Sequence, residues 1–278
     1  MRKPPIIPPP IPGQGLTPKE LEELAFAKFI LENPGLTARL SHVLGSPIEK
    51  GFKMLPKGWS ETVNKVSRAA LLKALQVAVV TLRGPHRQRK SSEAFHKLLV
   101  GASGGIGGAF GLAALAVELP VSTTIMLRSI ADIARSEGHD PQNIQTRLDC
   151  LEVFALGGRS PADEAAESGY WAVRAALARA VSEAASYLAE KSVLEKSAPV
   201  VVRLISSIAS RFGVIVSEQV AAKAIPVIGA AGGSVVNVLF MNHFQDMARG
   251  HFIVRRLEQR HGTQLVREIY QRLAVPIR

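Results

Sequence analysis

The sequence predicts an all-α protein, a multi-helix bundle carrying two glycine-rich apolar helical hairpins. Three observations point there. Apolar residues recur at helical spacing through nearly every segment, and the apolar runs lack the turn-bounded alternation of strands. Of 278 residues, 47% are hydrophobic but only 5% aromatic, so the core is built from Ala, Val, Leu, Ile and Gly, whose small side chains let helices approach closely. Glycines also recur at four-residue spacing inside the longest nearly uncharged run, Leu98 to Leu127, where Glu118 is the single charge.

The N-terminal MRKPPIIPPPIPGQG reads as a disordered or polyproline II tail through residue 16. Prolines interrupt any apolar core there, so no signal peptide is visible. Residues 17–59 form a helical extension and residues 60–278 the main domain. Thr17-Pro18-Lys19-Glu20 starts a helix with a Thr cap, Pro in the first turn and Glu three residues after the cap; Asn33-Pro34-Gly35 stops it. Thr37 caps a short helix through Leu44. Gly45 to Trp59 (GSPIEKGFKMLPKGW) reads as a surface loop whose lysines and apolar side chains also suit a membrane interface. Ser60 begins an amphipathic helix to Leu82, basic on one side. RGPHRQRK is a positive loop, and Ser91 or Ser92 caps the next helix.

That helix runs into the first glycine-rich hairpin. Gly101 with Gly105, Gly104 with Gly108, and Gly107 with Gly111 lay a smooth strip along it. Each glycine costs about 1 kcal/mol relative to alanine in a helix, so close packing or lipid must compensate. Pro120 is expected to break or kink the segment into two arms. Asp140-Pro141 then caps a helix through Leu156, closed by Gly157-Gly158. An acidic patch follows (Asp163, Glu164, Glu167), and Tyr170 to Lys191 and Ala198 to Lys223 read as helices. The second apolar run is uncharged from Ala224 to Asn242, with Pro226 at its start and Gly229, Gly232 and Gly233 echoing the first. The basic segment HFQDMARGHFIVRRLEQRHG and a short helix ending near Leu273 complete the chain. Each glycine cluster is followed by a D-[IM]-A-R tetrad, Asp132 to Arg135 and Asp246 to Arg249; the offsets differ, so this is similarity of parts rather than a repeat.

The formal net charge is +11 and the excess is uneven. Lys50 to Lys90 holds ten Lys or Arg against Glu61, and the chain from Arg249 holds seven Arg against Glu258 and Glu268. Such fields attract anionic lipid or nucleic-acid phosphate. Two Trp and three Tyr offer little base stacking and no nucleic-acid motif is present, which disfavours nucleic acid. The single cysteine, Cys150, excludes an intramolecular disulfide, fits a reducing compartment, and reads as a buried, inert thiol.

Catalytic readings are thinner. GASGGIG resembles the nucleotide loop of the short-chain dehydrogenases, and Tyr187 and Lys191 have the Tyr-x-x-x-Lys spacing of an NAD(P) oxidoreductase. Yet about 90 helical residues precede the glycines, no Asn-Asn-Ala-Gly segment occurs, and the required βαβ units are not visible. His243 and Asp246 lie one helical turn apart with His251 further on, a partial metal face; a helix-surface polar cluster is the expected outcome. Asp132/Arg135 and Asp246/Arg249 read as helix-surface ion pairs, and Arg128 and Arg174 join them as polar-cluster candidates. No catalytic residue, cofactor or metal ligand is assigned.

Taken together, several motifs in order resemble the EcsC family of bacterial proteins: the glycine-rich stretch before ELPVSTTIMLRSIADIAR, CLEVFALGG at Cys150 to Gly158, SGYWAVR at Ser168 to Arg174, IPVIGAAGG, and HFQDMARGHFIVRRLE. The resemblance covers roughly Ser60 to the end. That family is named from a gene beside an ABC transporter linked to secretion, so the resemblance implies a helical fold, membrane association and a membrane transporter as candidate partner. It brings no catalytic residue. The reading is a non-catalytic protein at the cytoplasmic, inner face of the membrane, holding an anionic lipid surface through its basic clusters, with Leu98 to Leu127 and Ala224 to Met241 as shallow insertions. The competing reading buries both stretches in a soluble helical interaction protein, which suits a mean hydropathy of only +0.14.

Overall fold

A computed structural model describes residues 15–32, 36–45, 47–81, 111–158, 169–191, 195–225 and 229–274. Among them are ten α-helices and no strand. They are α1 (Pro18–Glu32), α2 (Leu36–Leu44), α3 (Glu49–Met54), α4 (Trp59–Thr81), α5 (Gly111–Ser136), α6 (Ile144–Glu152), α7 (Gly169–Glu190), α8 (Pro199–Ala224), α9 (Gly229–His261) and α10 (Thr263–Arg272), with a 3₁₀ turn at Val153–Ala155 after α6. Five glycines of the expected smooth strip, Gly101, Gly104, Gly105, Gly107 and Gly108, lie outside the described residues. With them go the opening arm of the first hairpin and the dehydrogenase-like loop, so of that strip only Gly111 has a place in the described fold.

The spine is α9. The uncharged run and the basic segment after it form one helix of 33 residues, about 50 Å long at 1.5 Å per residue. Its first half packs on α5 and α8; its second half packs on α1, α2 and α10. The arginines of that second half are drawn inward by acids elsewhere. Arg256 pairs with Glu23 of α1 at 2.7 Å and also with Glu137 after α5. The basic segment therefore staples α1 to the bundle instead of forming one exposed patch.

The N-terminal helices share this core. Thr17 and Glu20 close the expected capping box: Glu20 accepts from the Thr17 N–H at 2.9 Å and its own N–H donates to Thr17 Oγ1 at 3.3 Å. Glu20 Oε1 also lies 3.0 Å from His261 Nε2, and these bonds hold its carboxyl down at about 2. Leu16 is already buried, although it falls within the stretch read as tail. Thr37 lies within α2 and its side chain and backbone bond Glu218 of α8. Gly51 of α3 sits so close to α8 that a Cβ there would stand 1.9 Å from the Ala221 carbonyl oxygen. Phe154, Phe212, Phe240 and Phe244, with neighbouring centroids 5.1–6.3 Å apart, fill the middle of the core.

Three stretches differ from expectation. Gly45 to Trp59, read as a surface loop, holds helix α3, whose Gly51 is buried against α8. Pro120 does not end α5, which runs unbroken from Gly111 to Ser136. Leu115 and Leu119 before it and Met126 and Leu127 after it are all buried, and this packing outweighs the roughly 3 kcal/mol that an interior proline costs. Thr124 Oγ1 donates to the Pro120 carbonyl at 2.8 Å and Ser122 Oγ to the Leu119 carbonyl at 3.1 Å, so both hydroxyls bond back onto the helix just after the ring. Downstream, Asp140 forms a local turn, accepting from the Gln142 N–H, and Asn143 caps α6 by accepting from the Gln145 N–H at 2.8 Å.

Candidate functional site

A cavity of about 410 Å³ opens between α6, α7 and α9, with Arg267 of α10 at its rim. Helix α6 supplies Asp149 and Glu152, one turn apart on a single face. The start of α7 supplies Trp171 and Arg174 and the second half of α9 supplies Arg255, with Tyr170, His251 and Glu258 buried against them. Asp149, Glu152 and Glu258 are 3%, 6% and 6% exposed and His251 is fully buried. Burying this many charges requires pairing. Arg174 grips Glu258 through both nitrogens, Nη1 to Oε1 at 2.8 Å and Nη2 to Oε2 at 3.0 Å. Arg255 Nε donates to Asp149 Oδ2 at 3.1 Å, and its Nη1 reaches Glu258 Oε2 at 3.2 Å. Trp171 carries the Arg174 and Arg267 guanidinium groups over its ring, 4.8 and 5.6 Å from the centroid.

The pairing is incomplete. The three carboxylates meet Arg174, Arg255 and, at the rim, Arg267, yet burial pushes Glu152 up to about 7 despite Arg174 nearby. One ring nitrogen of His251, Nδ1, lies 3.1 Å from Tyr170 Oη, while Nε2 has no hydrogen-bond partner. Burial, reinforced by Arg174 and Arg255, holds this imidazole well below its ordinary range and therefore neutral. The Trp171 Nε1–H is likewise buried without a partner. Ligating atoms of Asp149, Glu152 and His251 lie within 4.8 Å of one another, the geometry of groups able to share a cation.

A second feature lies at the far end of α8. Lys223 donates to Glu118 Oε1 at 2.5 Å, Asn237 Nδ2 donates to the same oxygen at 2.8 Å, and Gln219 Nε2 donates to Asn237 Oδ1 at 2.8 Å. This network ties the starts of α5 and α9 to the last turns of α8, where α3 also packs through Gly51.

The family model for the EcsC protein family matches residues 19–257. The chain belongs to the EcsC family. No curated protein and no solved structure matches it. The EcsC match begins at α1, so it takes in helices α1–α3 as well as the motifs recognised from Ser60 onward.

Three of the stretches quoted above meet here: Glu152 from CLEVFALGG, Trp171 and Arg174 from SGYWAVR and Arg255 from HFIVRRLE line the cavity, and Tyr170, His251 and Glu258 are buried partners of this cluster. Of the residues singled out by sequence, Arg174 lines it, and His251 is buried beside Asp149 and Glu152. Asp132 pairs locally with Arg135 at 2.7 Å, as its spacing predicts. Asp246 instead pairs with Arg39 of α2 at 2.8 Å, and Arg249 lies near Glu137. His243 is buried against Gly157 and Phe244, away from any surface, and burial lowers it to about 4. The companions of His251 are not those its helix suggests, because α6 brings carboxylates that spacing along α9 cannot reveal. Asp149 and Glu152 had one available signal, a carboxylate pair one turn apart flanking Cys150, whose thiol is fully buried and pushed up by burial.

Of the other residues, Gly111 opens α5, and Gly229, Gly232 and Gly233 lie in the first turns of α9. Gly101, Gly104, Gly105, Gly107 and Gly108 fall outside the described residues. Arg128 is exposed on α5. Tyr187 and Lys191 sit at the end of α7, where the Lys191 N–H donates to the Tyr187 carbonyl. Helix α8, among the described residues, is the one helix long and apolar enough to cross a membrane, and 50% of its apolar window is buried in the bundle, as in a core helix.

Proposed function

We propose that this EcsC protein is a non-catalytic, membrane-associated helical protein that rests on the cytoplasmic face of a bilayer and supports a transport, secretion or lipid-envelope function there. The observation that carries this reading is what the last turns of α8 gather. From α5 come exposed Ala116, Val117 (72% exposed) and Val121 (49%); from α9 comes Val235 (44%); from α3 and the turn after it come Met54 (51%) and the exposed Lys50, Lys53 and Lys57. Apolar side chains beside flexible cations suit the boundary between acyl chains and anionic headgroups. Glu118 and Lys223, the charges within and beside the two apolar runs, neutralise each other inside the bundle, so neither needs to enter lipid bare. Along the α5 face that carries Val117 and Val121, the next exposed cation is Arg128, about 10 Å beyond Val121. Headgroup contact is assigned to the α3 lysines, each worth about 1 kcal/mol near an anionic surface, because the α9 arginines are engaged internally.

Flotation of the full chain with neutral and anionic vesicles, followed by a high-salt wash, tests this. Binding to anionic vesicles that partly survives the wash is expected. Reversing Lys50, Lys53 and Lys57 to Glu should abolish the anionic preference, and Val117→Asp with Val121→Asp should make the remainder salt-sensitive. Failure to float on either vesicle overturns the reading.

A further inference from the structure

We propose that Asp149, Glu152 and His251 form a binding site for one divalent transition-metal cation of the zinc or manganese class, open on its remaining side to the cavity beside Trp171. Two carboxylate oxygens and one imidazole nitrogen are the mixed donor set that such cations accept, and three protein ligands leave coordination positions for water or a small ligand. The donors come from two elements held rigidly together: Asp149 and Glu152 from one face of α6, His251 from α9, with their ligating atoms within 4.8 Å of one another.

The observation pointing to a ligand is His251. Its ring is fully buried, yet Nε2 has no hydrogen-bond partner. In the tautomer whose Nδ1–H donates to Tyr170 Oη, 3.1 Å away, Nε2 presents a lone pair with nothing to accept. A partner on the non-ligating nitrogen is how metal-binding histidines are oriented. A buried acceptor left bare is costly, and a bound cation removes that cost. Asp149 also accepts from Gln145 Nε2 at 2.9 Å and from Arg255, so its remaining lone pair is the one available to a metal.

The test uses the untagged full chain, stripped with chelator and titrated with Co²⁺ and Mn²⁺, read by the visible d–d bands of bound cobalt and by loss of the free manganese resonance signal. One equivalent bound to the wild type is expected, lost in Glu152→Gln and in His251→Gln, and retained in His243→Asn and Asp246→Asn, which remove the rival face on α9. Tyr170→Phe keeps all three ligands and the ring packing, so it tests the site even if a ligand variant does not fold; binding should weaken about 10–100-fold. No binding by the wild type, binding that survives Glu152→Gln and His251→Gln, or a sulfur-to-cobalt charge-transfer band that Cys150→Ser abolishes would each overturn the assignment.

Discussion

Lys223 donates to Glu118 at 2.5 Å across 105 residues of sequence, with side chains only 14% and 9% exposed. Glu118 is the single charge of the first apolar run and Lys223 borders the second, and neither is stable buried there alone. Burial lowers the Lys223 amine from its ordinary value, and Glu118 partly restores it. Replacing one partner strands the other. Glu118→Gln is therefore expected to cost about 3 kcal/mol, whereas Glu118→Leu with Lys223→Met should stay within about 1 kcal/mol of the wild type. Urea unfolding of the two singles and the double gives the coupling directly.

The buried imidazole of His243 sets a pH dependence. Burial, then the Arg39 charge, hold it at about 4, with Asp246 and a bond to the Leu156 backbone opposing. The unfolded chain takes up this proton near 6.5 and the folded chain near 4. Between those values the unfolded state binds more protons, so stability falls as pH falls, by up to about 3 kcal/mol over the window. His243→Asn should lose this share of the acid sensitivity. The check is the wild-type-minus-variant difference in unfolding free energy at pH 7 and pH 4.5: it should shrink toward the acid side, and an unchanged difference would refute the assignment.

How much of this is legible in the sequence follows physical range. Local signals are: the capping box of Thr17 and Glu20, the helix from Ser60, the i,i+3 pair of Asp132 and Arg135, and the all-α class come from neighbours along one helix. Whatever depends on a distant segment is not. Spacing assigns Asp246 to Arg249, but Arg39 reaches it from α2. Pro120 reads as a break because the packing that carries α5 through it lies on other helices. The cavity is the extreme case, since Asp149 and Glu152 look like ordinary helix-surface acids until α9 sets His251 against them.

Gly157 makes a sharper claim than a generic turn glycine. Its φ of +79° is one that side chains rarely adopt, and a Cβ there would stand 2.4 Å from His243. Gly157→Ala combines backbone strain with a core clash and should cost more than about 2 kcal/mol. Gly51→Ala meets the Ala221 carbonyl and should displace α3 from α8. Thermal melts would register both, but only Gly51→Ala should also weaken vesicle flotation, because the α3 lysines move with it.

Arg174 is where packing and charge in the cavity are hardest to separate, and a pair of substitutions separates them. Its guanidinium forks onto both oxygens of Glu258 and lies 4.8 Å from the Trp171 ring centroid. Arg174→Lys keeps the positive charge but loses the fork and the stacking, so about 1–2 kcal/mol should go. Arg174→Met keeps the stem's packing but removes the charge, leaving Glu258 with Arg255 alone and the cavity short of a second cation; about 3 kcal/mol should go. If packing on Trp171 were what mattered, the order would reverse, with Met the milder change. Chemical denaturation of both variants decides between the two, and the near-UV signal of Trp171 reports whether the ring kept its place.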